Sequence, residues 1–181
     1  MYKKIIVLII VLIIVLLLIS IPFLNYINIS KEIVNDYEFI SVDKLVKATF
    51  KGDYKCDKTN FCYNEKYNIT SYVINYKKND YKNNLNEVVE KYIETAKLNY
   101  DIFKEIEKPY SYIIDNKTLL RKIYKATMDN IDYNFLITSI DYKETDYFTL
   151  VVFVLSDDNY KLNKNILFNC IETFNINKKS N

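Results

Sequence analysis

Fifteen consecutive apolar residues, Ile5 to Ile19, lie four residues from the N-terminus and constrain this chain more than any other feature in it. Only Ser20 and Pro22 interrupt the run before Leu24. At 1.5 Å per residue, about 20 residues of helix cover about 30 Å, the thickness of a bilayer hydrocarbon core. Each apolar side chain at the centre of such a span favours insertion by roughly 0.3–0.6 kcal/mol, several kcal/mol in sum. Pro22 costs little there, because the last turn of a helix has unsatisfied carbonyls in any case. Residues 1–25 are therefore expected to form a short stub and one transmembrane helix, with residues 5–24 in the membrane.

Lys3, Lys4 and the α-amino group precede this run, whereas the first charges after it, Lys31, Glu32 and Asp36, nearly cancel. The positive-inside rule then keeps the N-terminus in the cytoplasm and exports the rest, giving a single-pass membrane protein with an extracytoplasmic C-terminal domain. Two alternatives stay open: a cleaved signal peptide and a buried soluble helix. The first wants a shorter apolar stretch and an Ala-x-Ala-type site, and Ser20 is the only small residue near the boundary. The first cysteine, Cys56, is too distant for a lipoprotein anchor.

Once Lys3 and Lys4 are set aside, 23 basic side chains balance 23 acidic ones. A neutral domain lacks the basic field that drives phosphate binding through counterion release, which argues against nucleic acid as a partner. The absence of histidine removes the commonest general base and the commonest zinc ligand. Gly52 is the only glycine, so no glycine-rich phosphate loop exists. Arg121 is the only arginine, and the abundance of Lys, Asn, Ile and Tyr matches the codon bias of an AT-rich, bacterial genome.

Cys56 and Cys62 bracket a polar, turn-like segment between two strand-like runs, and a disulfide between them would close a hairpin tip. Two reduced thiols are the plain alternative. Closing so short a loop stabilises a chain by roughly 2–2.5 kcal/mol in the entropy model. Cys170 reads as an inert small hydrophobe on a helix face. No metal or cofactor site emerges from three cysteines without histidine.

Residues 26–37 read as a juxtamembrane linker, 38–177 as one extracytoplasmic domain, and 178–181 as a tail. Glu38–Val42, Leu45–Tyr54 and Ile69–Tyr76 have strand patterns; in the last, Thr70, Tyr72, Ile74 and Tyr76 share one face. From Leu85 the apolar period becomes helical, through Val88, Val89, Tyr92, Ile93, Ala96, Tyr100, Phe103 and Ile106, which predicts a long helix over Leu85–Ile106. Asn84 and Glu87 suggest a capping box at its start, and Pro109 a stop near Glu107. Strands are predicted at Tyr110–Asp115, Thr118–Met128, Ile131–Ile140 and Tyr147–Leu155, with Asp129-Asn130 as a hairpin turn. Tyr147–Leu155 is apolar on both faces and should be central. Ser156-Asp157-Asp158 should cap a second helix with a buried stripe of Leu162, Ile166, Leu167, Cys170, Ile171 and Phe174. A short strand is expected to close the chain at Phe174–Ile176. The expected class is α+β, a mainly antiparallel sheet flanked by a long helix and a C-terminal helix.

The helix Leu85–Ile106, the pairing of Thr118–Met128 with Ile131–Ile140, and Tyr147–Leu155 running into a helix that ends Cys170-Ile171-Glu172-Thr173-Phe174-Asn175-Ile176 together resemble the PsbP-like superfamily over Glu38 to Ile176. The resemblance implies an α/β/α sandwich. It also implies a binding or assembly role in the bacterial envelope rather than catalysis. Relatives there are commonly lipoproteins, from which this chain departs by its apparent transmembrane anchor. The resemblance carries over no site residue.

Catalytic patterns are weak. Asp157-Asp158 read as helix caps, and Asp141, Glu144 and Asp146 as a solvated hairpin loop with weak calcium binding as the sharper alternative. Tyrosine on strands is a good β-former; a stacking platform for sugars or a peptide is the functional alternative. The sequence therefore predicts a membrane-tethered, non-enzymatic binding or assembly domain with a protein or envelope partner. An envelope hydrolase using carboxylates or a Ser–Lys pair, and a sensory subunit of a larger complex, remain the competing functions.

Overall fold

The run Tyr147–Leu155, apolar on both faces, lies at the middle of the fold. A computed structural model describes residues 36–178, so the proposed anchor at 5–24, the linker up to residue 35 and the end of the tail lie outside the described residues. In chain order the elements are strands β1 (Asp36–Ile40), β2 (Val46–Lys51), β3 (Lys55–Cys56), β4 (Phe61–Asn64) and β5 (Ile69–Lys77), then helix α1 (Leu85–Ala96). Strands β6 (Ile102–Ile114), β7 (Lys117–Met128), β8 (Ile131–Tyr142) and β9 (Tyr147–Ser156) follow, then helix α2 (Asp157–Glu172) and strand β10 (Asn175–Ile176). Single 3₁₀ turns at Lys78–Tyr81 and Lys97–Asn99 flank α1.

Among the described residues, one antiparallel sheet runs β3-β4-β5-β9-β8-β7-β6, and β1, β2 and β10 form a small second sheet. Strand β9 pairs with β5 on one side and β8 on the other, and its side chains alternate as the pleat demands. Phe148, Leu150 and Val152 pack with Val88, Val89 and Ile93 of α1. Val151, Phe153 and Leu155 pack with Leu167, Cys170 and Ile171 of α2 and with Phe39 and Phe50 of the small sheet. The result is a sandwich with α1 on one face and α2 plus the small sheet on the other. Short hairpins make it antiparallel; Asp129 and Asn130, at φ 52° and 62°, form the primed turn that suits strand twist.

The predicted helix over Leu85–Ile106 is corrected at its midpoint. The α-helix ends at Ala96, Lys97–Asn99 make a 3₁₀ turn, and Ile102 begins β6, which runs through the expected start at Tyr110. Tyr100 and Phe103 do pack against the α1-side core, as the helical spacing required, but they reach it from an extended chain. Leu98, within the 3₁₀ turn, is 84% exposed. Pairing decides the matter: β6 satisfies the outer edge of β7 over Ile102–Ile114, where a helix would leave those amides bare. Pro109 is no helix stop. It lies at a register shift on the edge strand, where a missing N–H breaks no ladder bond. Lys104, Glu105, Glu107 and Lys108 guard the same edge against pairing with another chain.

Three smaller expectations change. Leu162 is 80% exposed; the buried stripe of α2 is Tyr160, Asn163, Leu167, Cys170 and Ile171. Ser156 occupies the N-cap position without a side-chain cap bond, while Asp157 accepts from Asn134 Nδ2 at 3.0 Å and pairs with Lys161 at 2.6 Å. Strand β2 stops at Lys51 because Gly52 turns at φ 107°, where a Cβ would lie 2.6 Å from Asn64 Nδ2. At α1, Asn84 accepts from the Asn86 amide at 2.9 Å, and Glu87 lies 3.6 Å from Lys82.

Lys117 is the least expected core residue, a lysine 2% exposed beneath the end of α2. Its ammonium donates to the carbonyls of Glu172 and Phe174, both at 2.6 Å, so it closes off a helix C-terminus whose carbonyls have no intrahelical partner. Burial holds its pKa below the ordinary lysine value, with Asp115 and Glu172 partly offsetting the effect. Lys117→Met keeps the stem and orphans two carbonyls, at about 1–3 kcal/mol each, while relieving the ammonium of its burial. A net loss of about 2 kcal/mol in urea unfolding at neutral pH is the expected result; an unchanged midpoint would show that the cap adds nothing.

Candidate functional site

A transverse row of the large sheet supplies the floor of the site. Thr70 of β5 pairs with Val154 of β9, and Val154 with Phe135 of β8; Tyr72 stands two residues along β5, opposite Val152, on the same face. The wall comes from the last turns of α1 and the chain beyond it: Tyr92, Thr95, Ala96, Asn99 and Tyr100. Tyr92, Thr95 and Asn99 recur at helical spacing, so they present one flank. Because α1 stops at Ala96, this stretch of sheet is left as a cleft of about 370 Å³.

The cleft is aromatic. Phe135 is buried in its floor and meets the Tyr100 ring edge-on at 5.2 Å, and Tyr72 meets Phe61 edge-on at 5.0 Å. Burial raises the pKa of Tyr92, Tyr72 and Tyr100. Tyr92 is raised further by Tyr72, Tyr100 and Tyr76, so the phenols are close enough for one ionisation to oppose the next. None of the hydroxyls of Tyr72, Tyr92 and Tyr100 has a hydrogen-bond partner among the described residues.

No charged side chain lines this cleft. Four other hollows on the described surface are each lined by charged residues. One of these, about 250 Å³ beside Lys117, is bordered by Asp115, Lys143, Glu144 and Lys178.

The candidate carboxylates do not converge. Asp141 pairs with Lys78, Glu144 accepts from Asn116 at 2.9 Å, and Asp157 is held by Asn134 and Lys161. No group of three or more Cys, Asp or Glu among the described residues is placed to hold a metal ion. Arg121 stacks 3.7 Å from the Phe168 ring centroid, with Tyr110 and Tyr112 alongside. Cys56 and Cys62 face each other across β3 and β4 and are joined as a disulfide, while the Asp57 carboxylate braces the tip by accepting from the Thr59 and Phe61 amides. Cys170 is a buried free thiol, its pKa raised by burial.

Thr70 and Tyr72 occupy the strand face that sequence periodicity assigned to them. Tyr92 and Tyr100 were expected in the buried stripe of a long helix, and Asn99 was assigned no role. The available signal was chemical: each of these two tyrosine positions joins an apolar ring to a hydroxyl.

The architecture is the PsbP-like fold, an antiparallel sheet sandwiched between helical layers. The solution structure of cyanobacterial PsbP (CyanoP) from Synechocystis superposes with a TM-score of 0.61 at 10% identity, over 81% of this chain and 95% of that one. The Ran-binding protein Mog1p of Saccharomyces cerevisiae gives 0.56 at 11% identity, over 81% and 98%. LpqN of Mycobacterium tuberculosis, involved in cell envelope biogenesis, gives 0.55 at 8% identity, over 82% and 94%. No protein-family model matches the chain, and no curated protein matches it in sequence.

Proposed function

We propose that this chain is a membrane-tethered extracytoplasmic domain that binds a partner or envelope component and performs no covalent chemistry itself. The uncharged aromatic cleft carries the proposal. It offers shape, ring faces and neutral hydrogen-bonding groups, and no acid, base or nucleophile near neutral pH. Names among the structural neighbours point the same way, one a Ran-binding protein and one involved in cell envelope biogenesis. The Cys56–Cys62 disulfide suits an oxidising compartment. The apolar run at 5–19 supplies the tether. Among the described residues, no helix is long and apolar enough to cross a membrane.

Two measurements on intact cells test this. A membrane-impermeant maleimide should label nothing at first and should label the partly exposed Cys56 after an impermeant reductant, with buried Cys62 and Cys170 reacting only on denaturation. No labelling of intact cells after reduction would remove the extracytoplasmic address. A photo-crosslinking residue at Asn99 should give a reproducible adduct in cells, and the same residue at Leu162 on the opposite side should not. Equal adducts at both positions, or none at either, would remove the cleft as the binding site.

A further inference from the structure

We propose that the cleft between the end of α1 and strands β5, β9 and β8 binds an uncharged saccharide, its apolar face laid against the tyrosine rings and its hydroxyls paired with the cleft's neutral polar groups. This rests on the binding-domain reading above and assigns the ligand's class. The lining mixes Phe135 and Val154 with Thr70, Tyr72, Tyr92, Thr95, Asn99 and Tyr100, so hydrogen-bonding side chains outnumber purely apolar ones. An apolar ligand would leave those groups unpaired on binding, and each orphaned polar group penalises the complex.

An anionic or cationic ligand finds no countercharge here, although charged residues make up 27% of the chain. A saccharide satisfies both demands at once. Its C–H face carries slight positive charge and suits the negative face of an aromatic ring, and its hydroxyls donate and accept as phenols, Thr and Asn do. Tyrosine is economical in this role, because ordering two side-chain torsions fixes both a ring and a hydroxyl. A proline-rich segment also favours aromatic grooves, but its tertiary amides offer no donor to Thr70, Thr95 or Asn99. The volume of about 370 Å³ falls at the small end of ligand sites, which fits a short stretch of sugar chain rather than a branched glycan.

The test uses the full-length protein in a zwitterionic detergent without a sugar headgroup, titrated calorimetrically with four probes. These are chitotriose and maltotriose, both uncharged, trigalacturonate, which is anionic, and a decaproline peptide. At least one uncharged trisaccharide should bind with a Kd below about 1 mM. Tyr72→Phe and Tyr92→Phe keep the rings and should each weaken it about fivefold, the loss expected for one hydrogen bond. Tyr110→Phe, on the opposite face, should leave it unchanged. The inference is overturned if neither uncharged trisaccharide binds, if trigalacturonate or decaproline binds more tightly, or if the phenylalanine variants bind like wild type. Failure of the underlying reading looks different. Cleavage of a bound trisaccharide would end the non-enzymatic assignment and leave the site, whereas an Asn99 crosslink without saccharide binding would leave a binding domain with another ligand.

Discussion

Raising the pH above 10 should unfold this domain cooperatively, with the absorbance of the buried tyrosinates appearing together with the loss of far-ultraviolet circular dichroism. Burial raises the pKa of Tyr54, Tyr92 and Tyr142, and of the Cys170 thiol; Tyr124 is pushed up to about 12 by burial, Glu105 and Glu90. The sign follows from linkage. Above pH 10 the unfolded chain has lost these protons while the fold still binds them, so stability falls with rising pH until the folded pKa is passed. Each such group removes about 1.4 kcal/mol per pH unit, and the four tyrosines together about 5 kcal/mol, to which Cys170 adds. A fold of ordinary stability, about 10 kcal/mol, then reaches its midpoint near pH 12.

Lys117 opposes this, because its lowered pKa leaves the unfolded chain holding the extra proton, but it is one group against five. Tyr142→Phe should raise the midpoint. Ionisation of the whole phenol complement near pH 10 with the fold intact would show that Tyr54, Tyr92, Tyr124 and Tyr142 are not buried as described. On the acid side, Asp43 loses stability as pH falls through its folded pKa. Burial pushes that value up, but bonds from Asn75, Ser41 and the Leu45 amide outweigh it and leave it lowered. With no histidine, no side chain of ordinary pKa titrates between about pH 5 and 8, so the profile should be flat there.

Phe50→Ala should remove about 3–5 kcal/mol, the largest single-residue loss expected in the described core. Phe50 is fully buried, stacks on Phe39 at 5.0 Å, meets Tyr54 at 4.9 Å, and reaches Phe153 and Phe174 near 6 Å. It therefore joins the small sheet to the central strand and to the segment after α2. Deleting the ring opens a cavity walled by two sheets that cannot collapse together, so the upper part of the range applies. Phe50→Leu keeps most of the volume and should lose less than about 1.5 kcal/mol. Guanidinium denaturation of both variants checks the pair. Equal, small losses would mean that the small sheet is not held through this residue.

Periodicity was most legible where one face or both meet a core. Strand β9 apolar on both faces, the alternation at Thr70 and Tyr72, and the hairpin turn at Asp129-Asn130 all show in the residues themselves, because burial repeats every second residue along a strand. The stretch from Ala96 to Ile106 did not, since Ala96, Tyr100 and Phe103 satisfy a helical period and a turn followed by a strand equally well. The exposed edge of β7, whose residues lie beyond Lys117, chose between them, and no local pattern can register an unpaired edge that distant in the chain.

From the residues alone came a neutral, histidine-free chain with an apolar N-terminal run, a doubly apolar strand and two helix patterns: properties written in composition and short-range spacing. The end of α1 at Ala96, the open strip of sheet beyond it, and the meeting of Tyr72, Tyr92 and Tyr100 across it were decided only by tertiary structure. Cleft and core there are set by which backbone edges must be paired, and that demand acts between segments far apart in sequence.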